Sequence, residues 1–335
     1  MKHSDPVRLG RTGLTVTALG FGATAIGGMY EEVSGRQADA AVGAAWDSGI
    51  RLFDAAPQYG LGLGETRLGH GLAGYPRAEY VLSTKVGRLL RADAPPNPDD
   101  FGPDGEPFDK GTPPVATVYD YSRDGVLTSI EESLARLGQD RLDLVYVHDP
   151  DEYVEEALAG AFPALIELRE QGVIKAVGAG MNQTAALEAF ARRSDPDVFL
   201  LAGRYTLLEQ EALRTFLPLC AERGIAVIVG GAYNSGLLAD PSPGTHYNYL
   251  PAPAELIGRA QRLRAVCARY DVPLKAAAIQ FPIAHPVVAA VLTGARKDSE
   301  LRENCAMFDF PIPPELWAEL RAEGLLDERA PAPGQ

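Results

Sequence analysis

The sequence predicts a parallel (β/α)8 barrel with an N-terminal β-hairpin plug, on three observations. Short apolar runs alternate with amphipathic helical stretches along the chain, the runs number eight, and ionisable residues recur where several of them end. A length of 335 residues, 46% of them hydrophobic, supplies one large core and suits a barrel or a doubly wound sheet. No short-period repeat and no linker interrupts it, so residues 1–335 read as a single domain.

The elements follow in order. Val7-Arg8-Leu9-Gly10 and Leu14-Thr15-Val16 flank the turn Arg11-Thr12-Gly13, which predicts a hairpin plugging the barrel bottom. Strand-like runs end near Leu19, Phe53, Thr84, Val147, Val177, Leu201, Val229 and Leu292. Residues 37–46, 125–137, 154–169, 184–193, 207–222 and 254–270 carry apolar side chains at three-and-four spacing, as crossover helices should. Two long insertions break the rhythm on the carboxyl side of the strands, at 90–121 and 231–253. The first holds seven prolines between Arg91 and Asp120, too many for a helix, and predicts a lid or binding wall. Residues 329–335 are Ala/Pro-rich and predict a disordered tail.

Composition narrows the function classes. With 31 Lys and Arg against 45 Asp and Glu, the formal charge of −14 repels phosphate backbones and anionic membrane surfaces, so no nucleic-acid or membrane partner is expected. Cys220, Cys267 and Cys305 are far apart and odd in number, which suggests neither a zinc site nor a disulfide framework. The first residues lack an apolar signal core, and no stretch approaches the roughly 18 apolar residues of a membrane span. A reducing cytoplasm is the expected location.

Four residues carry the candidate chemistry. Asp54, Lys85 and His148 close three strand-like runs, and Tyr59 follows Asp54 in the next loop, so one end of a barrel gathers them. A phenol of pKa about 10 exchanges protons near neutrality only with a stabilised phenolate. An ammonium at about 4 Å in an effective dielectric of about 20 contributes on the order of 4 kcal/mol, which brings the phenol toward 7. Lys85 is the candidate cation, Asp54 keeps it charged, and the three titrate as a coupled unit. His148 is expected as a neutral hydrogen-bond donor to a substrate oxygen. It has no second His at ligand spacing, so no metal is expected.

None of these groups donates hydride, so a redox reaction requires a cofactor. Gly20-Phe21-Gly22 is followed by Ala23-Thr24, which is not a Rossmann fingerprint. The stretch Thr293-Gly294-Ala295-Arg296-Lys297-Asp298-Ser299-Glu300 offers an alternative phosphate site, with glycine, two cations and a helix start after the eighth strand.

These residues resemble the aldo-keto reductases over 7–310. The resemblance rests on Phe53-Asp54-Ala55-Ala56-Pro57-Gln58-Tyr59-Gly60 with Gly64-Glu65 and Leu68-Gly69, on Ser83-Thr84-Lys85, and on Asp143-Leu144-Val145-Tyr146-Val147-His148. Residues 83–90, 177–183 and 202–208 are similar to bacterial sugar dehydrogenases of the L-fucose and D-threo-aldose type, with L-galactose and pyridoxal dehydrogenases as relatives. The resemblance implies oxidation of an aldose at C1 to its lactone. It makes Tyr59 the acid/base, Lys85 and Asp54 its tuning pair, and His148 the group orienting the substrate oxygen.

The same resemblance implies an extended nicotinamide dinucleotide touched by Gly22, Asp54, Asn182, Ser235 and the segment from Gly294 through Arg296 and Glu300 to Asn304. Three places depart from the pattern: Gly180-Met181 replaces a Ser-Asn pair, Ala202 replaces a Gln, and Gly230 stands where an aromatic is common, with Tyr233 near. Glu300 occupies the position that often holds an arginine for a 2′-phosphate, which favours NAD over NADP. Arg88, Tyr119 and Tyr121, at the ends of the first insertion, are the expected sugar contacts. Competing readings are an NADPH-dependent aldehyde or ketone reductase, a pyridoxal dehydrogenase, an aldolase using Lys85 as a Schiff base, and a nucleotide-binding regulatory protein. Oligomeric state is not readable from the sequence.

Overall fold

A computed structural model describes residues 1–102, 104–248 and 250–334. Eight strands form a closed barrel: β1 (Leu19–Gly22), β2 (Leu52–Asp54), β3 (Val81–Val86), β4 (Leu144–His148), β5 (Ala176–Met181), β6 (Val198–Ala202), β7 (Ala226–Gly230) and β8 (Val288–Gly294). Neighbours in the chain are neighbours in the barrel, and β8 closes on β1 with Gly294 opposite Gly22. The main helices are α1 (Gly35–Asp47), α2 (Leu63–Leu72), α3 (Arg123–Leu137), α4 (Phe162–Glu170), α5 (Thr184–Arg193), α6 (Phe216–Arg223), α7 (Ala254–Arg269), α8 (Leu274–Gln280), α9 (Asp298–Phe308) and α10 (Pro314–Ala322).

Strand alternation divides the interior into two cores. Phe53, Leu82, Val145 and Val147 point outward into the layer between sheet and helices. Leu52, Val81, Leu144 and Tyr146 point inward and fill the barrel with Leu200, Ile228 and Leu292. The same period carries Asp54, Lys85 and His148 inward, two or four residues past inward apolar positions. The predicted hairpin exists, pairing Pro6–Arg8 with Thr15–Thr17, and its Leu9 and Val16 join the inner core.

Several boundaries differ from the sequence reading. β1 begins at Leu19 instead of ending there, and β5 runs on to Met181. The stretch 207–222 is helical only from Phe216, after a 3-10 turn at Glu211–Leu213. Thr206 Oγ1 accepts from the backbone N–H groups of Leu208 and Glu209, which diverts the chain from a helix. Within 154–169 the turn Ala157–Ala161 is widened, immediately ahead of Pro163, which has no N–H to donate. Helices α2, α8, α9 and α10 lie outside the stretches that periodicity marks, α9 being expected only from its start after the eighth strand. The tail is packed rather than disordered as far as Gly334: Ala330 and Ala332 are buried, and Arg321 donates to Ala330 O. Gln335 lies outside the described residues.

The first insertion is a β-hairpin whose arms, Arg88–Arg91 and Ala116–Tyr119, pair antiparallel. Gly87 makes the corner at φ +102°, where an added β-carbon would lie 2.1 Å from Tyr121 Cε1. Beyond the arms the insertion folds over the mouth of the barrel. Tyr30 N donates to Phe108 O and Lys110 N to Gly28 O, both at 2.9 Å, so its tip is docked on the loop after β1. No helix among the described residues is long and apolar enough to cross a membrane.

Candidate active site

The inward residues at the ends of β2, β3 and β4 converge under this lid. Lys85 Nζ donates to Asp54 Oδ2 at 2.6 Å and to Ala55 O at 2.8 Å, and Ser83 Oγ donates to Asp54 Oδ1 at 2.7 Å. Tyr59 reaches the same point because Gly60 turns the loop at φ +63° against Gly27, whose carbonyl oxygen leaves 2.1 Å for any β-carbon. Lys85 Nζ stands 4.6 Å from the centre of the Tyr59 ring, and His148 meets that ring edge-on at 5.8 Å. The lysine stem lies against β5, where a β-carbon on Gly180 would sit 3.3 Å from Lys85 Cε. The four expected residues therefore share one site.

Burial decides the protonation states. Desolvation works against the Lys85 ammonium, but Asp54 and Tyr59 outweigh it and hold its pKa above the ordinary lysine value. Such an ammonium is no Schiff-base nucleophile. Burial, with the Lys85 and Arg88 cations adding, holds His148 well below the usual imidazole range, so the ring is neutral as expected. Its Nδ1 is buried and finds no partner among the described residues, while Nε2 lies 3.5 Å from Asp149 Oδ2.

Tyr59 corrects the sequence reading. Its pKa is raised, not brought toward 7: desolvation is the largest influence, Lys85 opposes it, and the Asp54 charge reinforces it. The dry surroundings of the phenol and the carboxylate beside Lys85 together outweigh the Lys85 cation.

A cavity of about 710 Å³ opens above these groups, within the usual range for small-molecule sites. Tyr59, Lys85, His148 and Asn182 line its floor, and Phe101, Phe108 and Asp109 of the lid line its roof. Arg88 is also at the wall, but its guanidinium is engaged. Nη1 donates to Gln58 Oε1 and Nη2 to Asp149 Oδ2, the latter at 2.9 Å, which ties the residue before Tyr59 to the residue after His148. The expected contacts Tyr119 and Tyr121 do not line this cavity. Tyr119 bonds to Asp99 and faces a smaller neighbouring cleft. Tyr121 is buried behind β4, donating to His148 O at 2.7 Å, so it supports the backbone of the site. Sequence reasoning passed over Thr24, Gln58, Asp109 and Asp149. Adjacency to Tyr59 and His148 was the available signal for Gln58 and Asp149, and nothing local marked Asp109.

Of the expected dinucleotide residues, Gly22, Ser235 and the segment from Gly294 to Asn304 lie on the β7–β8–β1 side of the mouth, whereas Asp54 ends β2 and Asn182 follows β5. Gly22 and Gly294 face each other across the ladder, Asn304 Nδ2 donates to Gly294 O at 3.5 Å, and Tyr233 Oη donates to Asn304 Oδ1 at 3.1 Å. Ser235 is exposed in left-handed backbone at φ +56° in the loop after β7. Asn182 donates to Ala202 O at 2.9 Å. A β-carbon on Gly22 would meet nothing nearer than Thr293 O at 3.9 Å, whereas one on Gly230 would lie 3.3 Å from Leu200 Cδ2 and one on Gly294 3.0 Å from Ala25 Cβ. That glycine-lined cradle fits a flat ring and a phosphate chain laid across the strand ends. At the start of α9, Glu300 Oε2 accepts from Arg296 N at 2.8 Å, and the Arg296 side chain pairs with Glu31 at 3.0 Å. The Arg296 side chain is thus held between carboxylates of its own chain.

Sequence and structure comparisons agree with this architecture. The model of the aldo/keto reductase family matches residues 18–323. Pyridoxal 4-dehydrogenase of Microbacterium luteolum is 44% identical over 97% of this chain and 99% of its own length. D-threo-aldose 1-dehydrogenase of a Pseudomonas species is 43% identical, with the same two coverages of 97% and 99%. A solved aldo-keto reductase from Bacillus halodurans, in its holo form, superposes with a TM-score of 0.75 at 26% identity and covers 99% of each chain. The chain belongs to the aldo/keto reductase family and is an oxidoreductase of the kind that works with a nicotinamide cofactor.

Proposed function

We propose that the protein is an NAD-dependent dehydrogenase that oxidises a small aldose at its hemiacetal carbon to the lactone. The observation that carries this reading is the chain Asp54–Lys85–Tyr59 beside a neutral His148, at the floor of a cavity whose roof includes the carboxylate of Asp109. A nicotinamide held there would supply the acceptor for the hydride that leaves C1. Tyr59 takes the proton of the anomeric hydroxyl, His148 holds that oxygen by a hydrogen bond, and Lys85 stabilises the phenolate form that Tyr59 must adopt first. Because burial raises the Tyr59 pKa, oxidation gains with rising pH, whereas the protonated phenol is ready to act as acid in the reverse, reductive direction.

Gly22, Asn182, Ser235, Gly294 and Asn304 are proposed to hold the cofactor. NAD is favoured over NADP because Glu300 and Glu31 surround Arg296, leaving a doubly charged 2′-phosphate beside carboxylates. A second reading, oxidation of pyridoxal, is favoured by the relative of that activity and by Phe101, Phe108 and Leu61 in the cavity wall, which suit an aromatic ring. The test is NAD reduction followed by absorbance across aldoses, pyridoxal and simple aldehydes. Turnover of L-fucose, L-galactose or D-arabinose supports the first reading, turnover of pyridoxal alone supports the second, and turnover of neither sinks both.

A further inference from the structure

The lid brings three carboxylates to the catalytic cavity, and two of them are engaged within the insertion, Asp99 by the Tyr119 hydroxyl and Asp100 by Thr117. Asp109, at the tip of the first insertion, lines the cavity together with Tyr59 and His148. Its Oδ2 accepts a hydrogen bond of 2.9 Å from Gly60 N, the backbone group immediately after Tyr59. Its backbone bridges to Met29 in the loop after β1, so the carboxylate is fixed from two sides. Oδ1 is buried and finds no donor among the described residues. A carboxylate oxygen accepts only, and leaving it dry and unpaired is costly, so the arrangement calls for a hydrogen-bond donor brought by whatever fills the cavity.

We propose that Asp109 is a specificity-determining residue that accepts a hydrogen bond from a substrate hydroxyl away from the reacting carbon, making the site selective for polyhydroxylated substrates. This rests on the dehydrogenase reading and adds to it the group that reads the substrate. Burial pushes the Asp109 carboxyl up to about 6, with Asp100 adding and the Gly60 N–H opposing, so the acceptor form dominates at neutral and alkaline pH. The geometry divides the labour: Tyr59 and His148 address the anomeric oxygen from the floor, and Asp109 addresses a ring hydroxyl from the roof. An exposed carboxylate at the lid tip would add little selectivity, since water competes for it. One held against Gly60 discriminates because an unfilled partner stays unpaired.

The test compares an aldose with tetrahydropyran-2-ol, a cyclic hemiacetal that has the same reacting carbon and no ring hydroxyls. Asp109→Asn keeps an acceptor for Gly60 N and replaces the other oxygen by a donor. The expected result is that the KM advantage of L-fucose or D-arabinose over tetrahydropyran-2-ol shrinks by about 10- to 100-fold, while KM for NAD is steady. A second arm needs no turnover: calorimetric titration of the same sugars into Tyr59→Phe and into Tyr59→Phe/Asp109→Asn, with and without NAD. Weaker sugar binding in the double variant by the same factor supports the proposal even where the wild type turns over no aldose, a result that would remove only the dehydrogenase reading. Unchanged discrimination in both arms overturns the proposal. So does a change confined to thermal stability or to proteolysis of residues 101–120, which would make Asp109 a latch only. Wild-type protein that binds no hydroxylated compound better than tetrahydropyran-2-ol also overturns it.

Discussion

At the residue scale, the proposed mechanism makes the state of Tyr59 in the free protein the source of the pH dependence. Its pKa lies above the ordinary value of 10, and Lys85 and Thr24 are the groups that pull it down. In the oxidative direction kcat/KM is therefore expected to climb through the alkaline range. No limb near 6.5 belongs to His148, whose ring stays neutral. Tyr59→Phe should lower kcat by about 100-fold or more while leaving dinucleotide affinity nearly unchanged. Lys85→Met should be similarly impaired, with the limb of its residual activity moved upward, and an unmoved limb would detach Lys85 from the titration of Tyr59. Glu300 poses a separate question of charge. Glu300→Arg removes one carboxylate and adds a phosphate partner, so the ratio of kcat/KM for NADP over NAD should rise by roughly 1–3 kcal/mol, about 5- to 150-fold. A wild-type enzyme that already prefers NADP would refute this account of the α9 start.

At the element scale, the lid roofs the cavity without carrying any of Asp54, Tyr59, Lys85 and His148. Its arms start three residues after Lys85 and end just before α3, and the pairing of Arg91 with Ala116 means that a short link can close the hairpin. Replacing residues 92–114 by a Gly/Ser link removes Phe101, Phe108 and Asp109 from the roof together. The KM for sugar should then rise by about tenfold or more, through lost contacts and admitted water, while the KM for NAD moves within about twofold. An unmoved sugar KM would reduce the insertion to a surface loop. This change differs from Asp109→Asn, because it raises KM for tetrahydropyran-2-ol as well.

At the scale of the whole molecule, stability and chemistry are placed at opposite ends of the barrel. Leu9 and Val16 of the hairpin close the inner core from below, whereas Asp54, Lys85 and His148 end its strands above. Leu9 is fully buried, so Leu9→Ala should cost about 2–5 kcal/mol and lower Tm. Its kcat and KM at moderate temperature should stay close to those of the intact protein. A loss of kcat in step with Tm would show that the plug and the mouth are mechanically coupled. The acidic surface, with a net charge of −14, leaves the cofactor to be held by backbone and local side chains rather than by a broad positive field.

What the sequence alone determined was the barrel, its plug and the meeting of Asp54, Tyr59, Lys85 and His148. Those follow from a period of two along each strand and from a parallel order that stacks all carboxyl ends on one face, and both are local properties of the chain. The tertiary structure decided the rest. Whether Tyr59 titrates upward or downward depends on every atom that excludes water from it, most of them distant in sequence. Tyr121 turned from a sugar contact into a support for His148, and Arg88 into a clamp between Gln58 and Asp149, because the corner at Gly87 fixes how the lid leaves β3. Asp109 joined the site only when the insertion closed over the mouth onto Gly28 and Gly60. No residue-to-residue spacing announces that closure, since a long irregular loop carries no period from which its path can be read.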